Sequence, residues 1–143
     1  MIDMTILAYL AGTIDSDGYV CIRRSTYRSG RARFEALVGI CGTRTEPHKL
    51  AASVFGGPIR SYVNRSSAHR LMHVWQPTGA RAVRVLDAVL PFLRIKTRQA
   101  ELAIEAQIVA TQQRQLCADF TDQLEDLHRE IKSLNQWRRE VRA

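Results

Sequence analysis

The chain has 143 residues, of which 45% are apolar and 24% are charged, and its formal net charge is +7. These proportions are typical of a globular domain and exclude a disordered tail, a collagen-like chain and a coiled rod. No apolar run approaches the ~20 residues that span a bilayer.

The first half of the sequence predicts a helix followed by a β-hairpin. Asp3 is a typical N-cap, and the run MTILAYLAGTI behind it is almost wholly apolar, which predicts a buried helix rather than a surface helix. The turn signal DSDG over residues 15–18 ends this helix. Alternating runs over residues 19–27 and 32–41, joined by a turn around residues 28–30, predict the hairpin.

A second unit of the same kind follows, although the sequence contains no internal repeat. Thr45 before Glu46 and Pro47 predicts the start of a helix that ends at Gly56 and Gly57. A hairpin is predicted next, over residues 58–64 and 69–76. A helix from Thr78 to Pro91 follows, with an apolar stripe of Val83, Leu86, Val89 and Leu90. The last predicted element is a helical tract from about Arg98, which residues 119–122 could divide into two helices. In the strand 69–76, either Arg70, Met72 and Val74 or Leu71, His73 and Trp75 face the core.

The positive charge is concentrated in the first two thirds of the chain. Residues 1–98 contain 15 basic and 6 acidic residues, whereas residues 99–143 contain 6 basic and 8 acidic residues. Clustered cations gain affinity for nucleic acid by releasing phosphate counterions, so this distribution predicts a polyanionic partner. Of the 21 basic residues 18 are arginines, whose planar guanidinium suits guanine edges and phosphates. A GC-rich genome could explain the ratio of arginine to lysine, but it does not explain the clustering.

Three cysteines, Cys21, Cys41 and Cys117, are widely spaced and form no CxxC pair or Cys/His cluster. This spacing argues against a disulfide framework or a zinc knuckle and favours reduced thiols. The first residues lack a basic segment and include Asp3, unlike a secretory signal. We therefore expect an intracellular protein, in a bacterial or phage cytoplasm or in an organelle.

Two segments carry a family resemblance. Residues 9–18, YLAGTIDSDG, resemble the signature YLAGLIDADG and differ from it at Thr13 and Ser16. Residues 91–100, PFLRIKTRQA, resemble the segment that carries an active-site lysine in the same family. The chain therefore resembles the LAGLIDADG homing endonucleases, in particular those with one motif per chain.

This resemblance implies an α+β fold of αββαββα order, with an antiparallel DNA-binding sheet followed by C-terminal helices. We expect one domain over residues 1–143, made of a core over 1–96 and C-terminal helices over 97–143. The resemblance also implies a site-specific double-strand DNA endonuclease that cuts with a stagger across the minor groove of a long site. Its host would be a mobile element such as an intron or a phage gene.

The resemblance assigns the catalytic residues one by one. Asp17 matches the metal-binding acid of the motif, and Ser16 matches the residue whose backbone carbonyl is a second ligand. Lys96 matches the lysine near the scissile phosphate, where it would order water and offset transition-state charge. Oxygen ligands favour Mg²⁺, so we expect Mg²⁺ as cofactor, Mn²⁺ as a substitute and Ca²⁺ to support binding only. Asp15 is interpreted as a capping residue at the end of the helix.

The spacing of small residues in the first helix predicts a homodimer. Ala8 and Gly12 lie four apart with Ala11 adjacent, and small residues at this spacing let two helix backbones approach closely. A two-fold axis beside this helix would bring Asp15 and Asp17 of both copies together, where paired carboxylates need a cation. We therefore place Ala8, Ala11, Gly12 and Asp15 in the dimer interface. A C₂ dimer reads a pseudo-palindromic site.

The basic strands predict the surface that reads DNA, because a two-stranded ribbon fits the major groove. The residues expected to contact bases or phosphates are Arg23, Ser25, Tyr27, Arg28, Arg31, Arg33, Glu35, Arg44, Arg60, Tyr62, Asn64, Arg65 and Arg70, with His69 as a further turn residue.

One position departs from the family pattern. The family often has glutamine at the end of the second strand, where it holds the water network, and the alignment places Gly42 there. Thr43, Arg44 or His48 could replace it. The alternative function is therefore a DNA- or RNA-binding protein of the same fold that does not cleave, such as a transcription regulator or an intron maturase.

Overall fold

The structure is a computed structural model that describes residues 1–65 and 70–140, apart from the side chains at positions 64 and 137–140. The predicted α+β order is confirmed. The elements are α1 (Met4–Asp17), β1 (Gly18–Thr26), β2 (Ala32–Gly42), α2 (Glu46–Phe55), β3 (Ile59–Asn64), β4 (Arg70–Trp75), α3 (Gly79–Val89), a 3₁₀ turn (Leu90–Phe92), α4 (Thr97–Leu116) and α5 (Thr121–Glu140).

The four strands form one antiparallel sheet in the order β1-β2-β4-β3. β2 pairs with β4, the second strand of the other hairpin, through Ile40 opposite Trp75. Because side chains alternate along a strand, this pairing puts Leu71, His73 and Trp75 on the side of the buried residues of β2. The register thus settles the alternative that the sequence left open.

One face of the sheet is covered by helices and the other, which we call the open face, is not. The covered face contributes Val20, Ile22, Phe34, Ala36, Val38, Ile40 and Trp75 to the core. α4 and α5 pack against this face, where the Gln107 side-chain oxygen accepts the Ala36 N–H at 2.9 Å and the Asn135 amide donates to the Val20 carbonyl at 3.0 Å. The open face carries the alternate residues of each strand.

The helix α1 begins as predicted, because the Asp3 carboxylate accepts the Thr5 N–H at 2.8 Å. Only one side of α1 is buried in the chain, however, and Met4 and Tyr9 are 70% and 49% exposed. The run of apolar residues thus exceeds what the protomer's own core can cover. The expectation of a fully buried helix does not describe the single chain.

The predicted division of the C-terminal tract is present. α4 ends at Cys117, which has a left-handed backbone with φ of 48°, and the Asp119 carboxylate accepts the Thr121 N–H at 3.0 Å. Alanines of α4 and the residues Leu124, Leu127 and Ile131 of α5 belong to the same core as the sheet. Among the described residues, no helix combines the length and hydropathy that a membrane span requires.

Candidate catalytic site and nucleic-acid interface

Asp15 is bonded on both oxygens to the segment that precedes α4. The Arg94 N–H donates to Oδ2 at 2.7 Å and the Lys96 N–H donates to Oδ1 at 2.9 Å, and Asp15 is only 6% exposed. A carboxylate that accepts two backbone N–H groups fixes the segment that carries them. Asp15 therefore ties residues 94–96 to the end of α1, which is a capping role toward a distant segment rather than toward its own helix.

Lys96 completes this connection from the other side. Its Nζ donates to the backbone carbonyl of Asp15 at 2.7 Å, and the residue is only 4% exposed. The last carbonyls of a helix are partly negative, so an ammonium group is stabilised there. The structure thus places the predicted lysine against the carbonyl that precedes Ser16 and Asp17, and covers it within the single chain.

Ser16 and Asp17 form the exposed end of α1. The Ser16 hydroxyl donates to the Gly12 carbonyl at 2.9 Å, and Asp17 forms no hydrogen bond or ion pair with the part of the chain that the structure describes. An exposed carboxylate beside a backbone carbonyl is an oxygen donor set that suits Mg²⁺. No group of three or more His, Cys, Asp or Glu side chains that could hold a metal ion occurs among the described residues.

The residues predicted for the dimer seam divide between two environments. Ala8 and Gly12 are exposed, and a Cβ added at Gly12 would meet no atom within 4 Å. Ala11 has no exposed surface, and Asp15 is buried against residues 94–96. The assignment of Ala11 and Asp15 to the seam is therefore corrected, because α1 turns both side chains into its own protomer.

The open face carries most of the predicted DNA-contacting residues. Arginines on neighbouring strands converge there because their positions share one parity in the register. Exposed residues of this face are Arg23, Ser25, Arg33, Arg60, Tyr62 and Arg70, while Tyr27, Arg28, Arg31, Arg44 and Arg65 are exposed in turns or beyond strand ends. Asn64 is in β3, but its side chain lies outside the described residues, as does His69.

Glu35 is the exception on the open face. Its carboxylate forms ion pairs with Arg23, its partner across β1 and β2, and with Arg33 at 3.4 Å. The Glu35 side chain is 11% exposed, whereas those of Arg23 and Arg33 are 50% and 45% exposed. In the free chain both Glu35 oxygens therefore face arginines of the same surface, and a contact of Glu35 with bases stays a prediction.

The sequence analysis did not identify a group of uncharged side chains beside the arginines, which consists of Tyr19, Cys21, Cys41 and Tyr62. Tyr19 lies across Gly39, its partner in the register, and any side chain at position 39 would collide with its ring. Burial raises the pKa of the Tyr19 phenol to about 12, with smaller contributions from Cys41, Cys21 and Tyr62. Tyr19 therefore stays neutral on a basic surface. Its pairing with a glycine follows from the hairpin register, which was the signal available.

The three candidate replacements for the family's glutamine near Gly42 differ in their exposure to solvent. His48 lies below it, 4.0 Å from the position of a Cβ at Gly42, but His48 is 1% exposed. Its two ring nitrogens have no hydrogen-bond partner among the described residues. Thr43 and Arg44 are exposed nearby. Of the three candidate replacements, only Thr43 and Arg44 are therefore available to solvent.

Comparison with known proteins gives the fold a name. No family model matches the chain, and no curated protein matches it by sequence. The solved structure of the homing endonuclease I-CvuI with its DNA target in the presence of Ca²⁺ matches with a TM-score of 0.69 and 18% identity, over 92% of this chain and 85% of that chain. The archaeal intron-encoded homing endonuclease I-Vdi141I with DNA matches with a TM-score of 0.67 and 16% identity, over 92% and 84%.

A longer protein matches over most of this chain but over less than half of its own length. The LAGLIDADG homing endonuclease I-GzeII, also solved with DNA, gives a TM-score of 0.63 and 14% identity over 90% of this chain but only 43% of that chain. The chain therefore has the fold of LAGLIDADG homing endonucleases, and its length is close to that of I-CvuI and I-Vdi141I.

Proposed function

We propose that this chain, with the fold of the LAGLIDADG homing endonucleases, is a homodimeric, Mg²⁺-dependent, site-specific double-strand DNA endonuclease. The observation that carries the proposal is the contrast at the end of α1, where Asp15 is fully bonded and Asp17 is exposed without a partner among the described residues. An unpaired carboxylate beside an arginine-rich surface repels phosphates unless a cation lies between them. This contrast supports a metal-binding role for Asp17 rather than a structural one.

The homodimer is supported by the outer side of α1 and by the relative lengths of the matched chains. Ala8 and Gly12 leave the α1 backbone accessible, and Met4 and Tyr9 extend an exposed apolar surface beside them. This chain corresponds to 43% of I-GzeII, as one half of a pair would. A second copy related by a two-fold axis would add its own Asp17 and its own open face, and would double the length of DNA that is read.

In this proposal the residues at the end of α1 and Lys96 have different roles. Asp17 and the Ser16 carbonyl would hold Mg²⁺, which when bound supplies Lewis-acid activation of the scissile phosphate and of water. Lys96 Nζ donates to the Asp15 carbonyl, which precedes these ligands in the chain, and the lysine would offset charge that develops on the phosphate. Asp15 fixes the backbone of residues 94–96 and so keeps Lys96 in place.

The second candidate function is a DNA- or RNA-binding protein that does not cleave, such as a regulator or a maturase. Gly42 favours it, because no side chain at that position can order water and His48 is buried beneath. A second solved structure of the homing endonuclease I-CvuI contains the I-CreI target, which is not cleaved in the presence of Mg²⁺.

The deciding experiment separates binding from cleavage. A library of randomised duplexes is selected on the protein in Ca²⁺, and the enriched duplex is then cloned in a plasmid and incubated with Mg²⁺ or Mn²⁺. We expect an enriched pseudo-palindrome, linearised plasmid with staggered ends in Mg²⁺ or Mn²⁺, and intact plasmid in Ca²⁺. Tight binding without cleavage in any metal would make the regulator or maturase function the better description. Absence of any duplex binding would contradict the endonuclease and the DNA-binding regulator, and would leave only an RNA-binding maturase.

A further inference from the structure

Two ion pairs of the same kind lie on opposite faces of the hairpin β1–β2. On the open face Glu35 pairs with Arg23 and Arg33. On the covered face Arg24 donates through Nε to Glu125 of α5 at 2.8 Å. The second pair connects a helix to the sheet, whereas the first connects residues of the sheet only with each other, on the surface that faces outward.

Glu35 is directed toward these arginines rather than outward toward a base. A carboxylate reads cytosine by accepting from its amino group, which requires an oxygen directed toward the DNA. Here Oε1 is paired with Arg23 and Oε2 with Arg33, and the side chain is 11% exposed. The carboxylate also lies close to the first residue of α3, since a Cβ at Gly79 would be 4.0 Å from Oε2. Partial positive charge at this helix end stabilises a fixed anion.

Arg23 and Arg33 keep an edge available for DNA. Each guanidinium has five N–H donors in two usable edges, and only Nη2 of each contacts Glu35. Half of the Arg23 side chain is exposed. The guanidinium of Arg33 is further held over the ring of Tyr27, with Cζ 5.8 Å from the ring centroid. The two guanidinium groups are thus oriented before any DNA is present.

We infer that Glu35 is a positioning residue, which holds Arg23 and Arg33 in the orientation that reads guanine in the major groove. This inference rests on the proposed DNA-binding function and assigns the specificity of that surface. An unanchored arginine reaches phosphates as easily as a guanine edge, because its long side chain samples many rotamers. Glu35 therefore acts on specificity through the arginines, while its own negative charge opposes non-specific binding.

The test compares Glu35→Gln with Glu125→Gln, a matched control that removes the same charge from the ion pair on the covered face. Randomised duplex libraries are selected on the parent and on both variants in Ca²⁺. In the parent, a bidentate arginine–guanine contact discriminates roughly 5- to 150-fold between bases. We expect Glu35→Gln to reduce this preference to about threefold or less at a symmetry-related pair of positions, and to bind mixed-sequence duplex more tightly. Glu125→Gln should keep the parental consensus.

A second measurement follows the arginine itself without DNA. Nitrogen-15 relaxation of the arginine Nε–H groups should show Arg23 more ordered than Arg28, which has no ion pair among the described residues, and Glu35→Gln should remove the difference. The inference is overturned if Arg23 is as mobile as Arg28 in the parent, or if Glu35→Gln selects the parental consensus. A parent that binds no duplex would overturn the proposed function, and this inference with it.

Discussion

The two sides of α1 show how one apolar sequence serves two purposes. The inward side, Leu7, Leu10, Ala11, Ile14 and Asp15, is buried and hydrogen-bonded within the protomer. The outward side, Ala8, Tyr9, Gly12, Ser16 and Asp17, is exposed. Residues of similar type thus differ in exposure because successive positions turn by about 100° around a helix. The difference teaches that Asp15 contributes to the folded chain, whereas Asp17 is left exposed to solvent, where the proposed function assigns it to the metal.

Asp17→Asn should produce the largest effect, on cleavage. The substitution removes the charge that would hold the metal and keeps the size of the side chain. We expect the cleavage rate in Mg²⁺ to fall at least ~1000-fold, or about 4 kcal/mol, with the free energy of unfolding unchanged. Plasmid cleavage and urea denaturation measure the two quantities. Cleavage at the parental rate would show that Asp17 does not hold the catalytic metal.

Asp15→Asn tests the inward side through stability. An amide can accept only one of the two N–H groups, from Arg94 and Lys96, that the carboxylate accepts. Leaving a buried donor unsatisfied should lower the free energy of unfolding by about 2–3 kcal/mol. Urea denaturation checks the loss, and an unchanged midpoint would show that Asp15 does not fix this segment.

Gly12→Leu tests the outward side of α1 through dimer formation, and Ala11→Leu tests its inward side through packing of the protomer core. A side chain at Gly12 meets no atom of its own protomer, so Gly12→Leu should leave the monomer folded and raise the dimer dissociation constant at least about tenfold. Ala11→Leu should destabilise the protomer by about 1–3 kcal/mol, because the position is fully buried.

Sedimentation and urea denaturation distinguish these outcomes. Arg84→Leu, on the exposed side of α3, is the control for adding a leucine to a helix surface. A parent that sediments as a monomer with and without DNA would contradict the proposed seam.

Asp3→Asn should give the smallest effect, at the start of α1. Hydrogen bonds from the hydroxyl and the N–H of Thr5 lower the pKa of Asp3 below 3.8. The folded state therefore favours the ionised carboxylate, and this stabilisation is present above the unfolded pKa and lost as pH falls through the folded pKa. Urea denaturation between neutral pH and about pH 3 should show a shallower loss of stability in Asp3→Asn than in the parent. Parallel curves would exclude the ionisation of Asp3 as a contributor to the pH dependence.

The elements were predictable because their signals are local. The cap at Asp3, the alternation in the two hairpins and the glycines after α2 each act within a few residues, and each boundary agrees with the structure within about a turn. The stripe of α3 was less well predicted: Ala82 and Val85 are buried where Val83 and Leu90 were expected. Val83 and Leu90 are only partly buried at the edge of the core, because the rotation of α3 about its axis is set by its packing against neighbouring elements, which hydropathy along one helix does not reveal.

The sequence by itself determined the order of helices and strands, the two segments that resemble the family, and the collection of arginines on one parity of the strands. Only the tertiary structure decided which strand β2 pairs with, which parity of β4 faces the core, that Asp15 and Lys96 are joined, and that Glu35 is held by two arginines. Residues 15 and 96 are 81 positions apart, and their contact arises when α1 and the start of α4 pack on the same sheet. Local patterns constrain the backbone within a few residues, whereas such a contact depends on the packing of the whole chain.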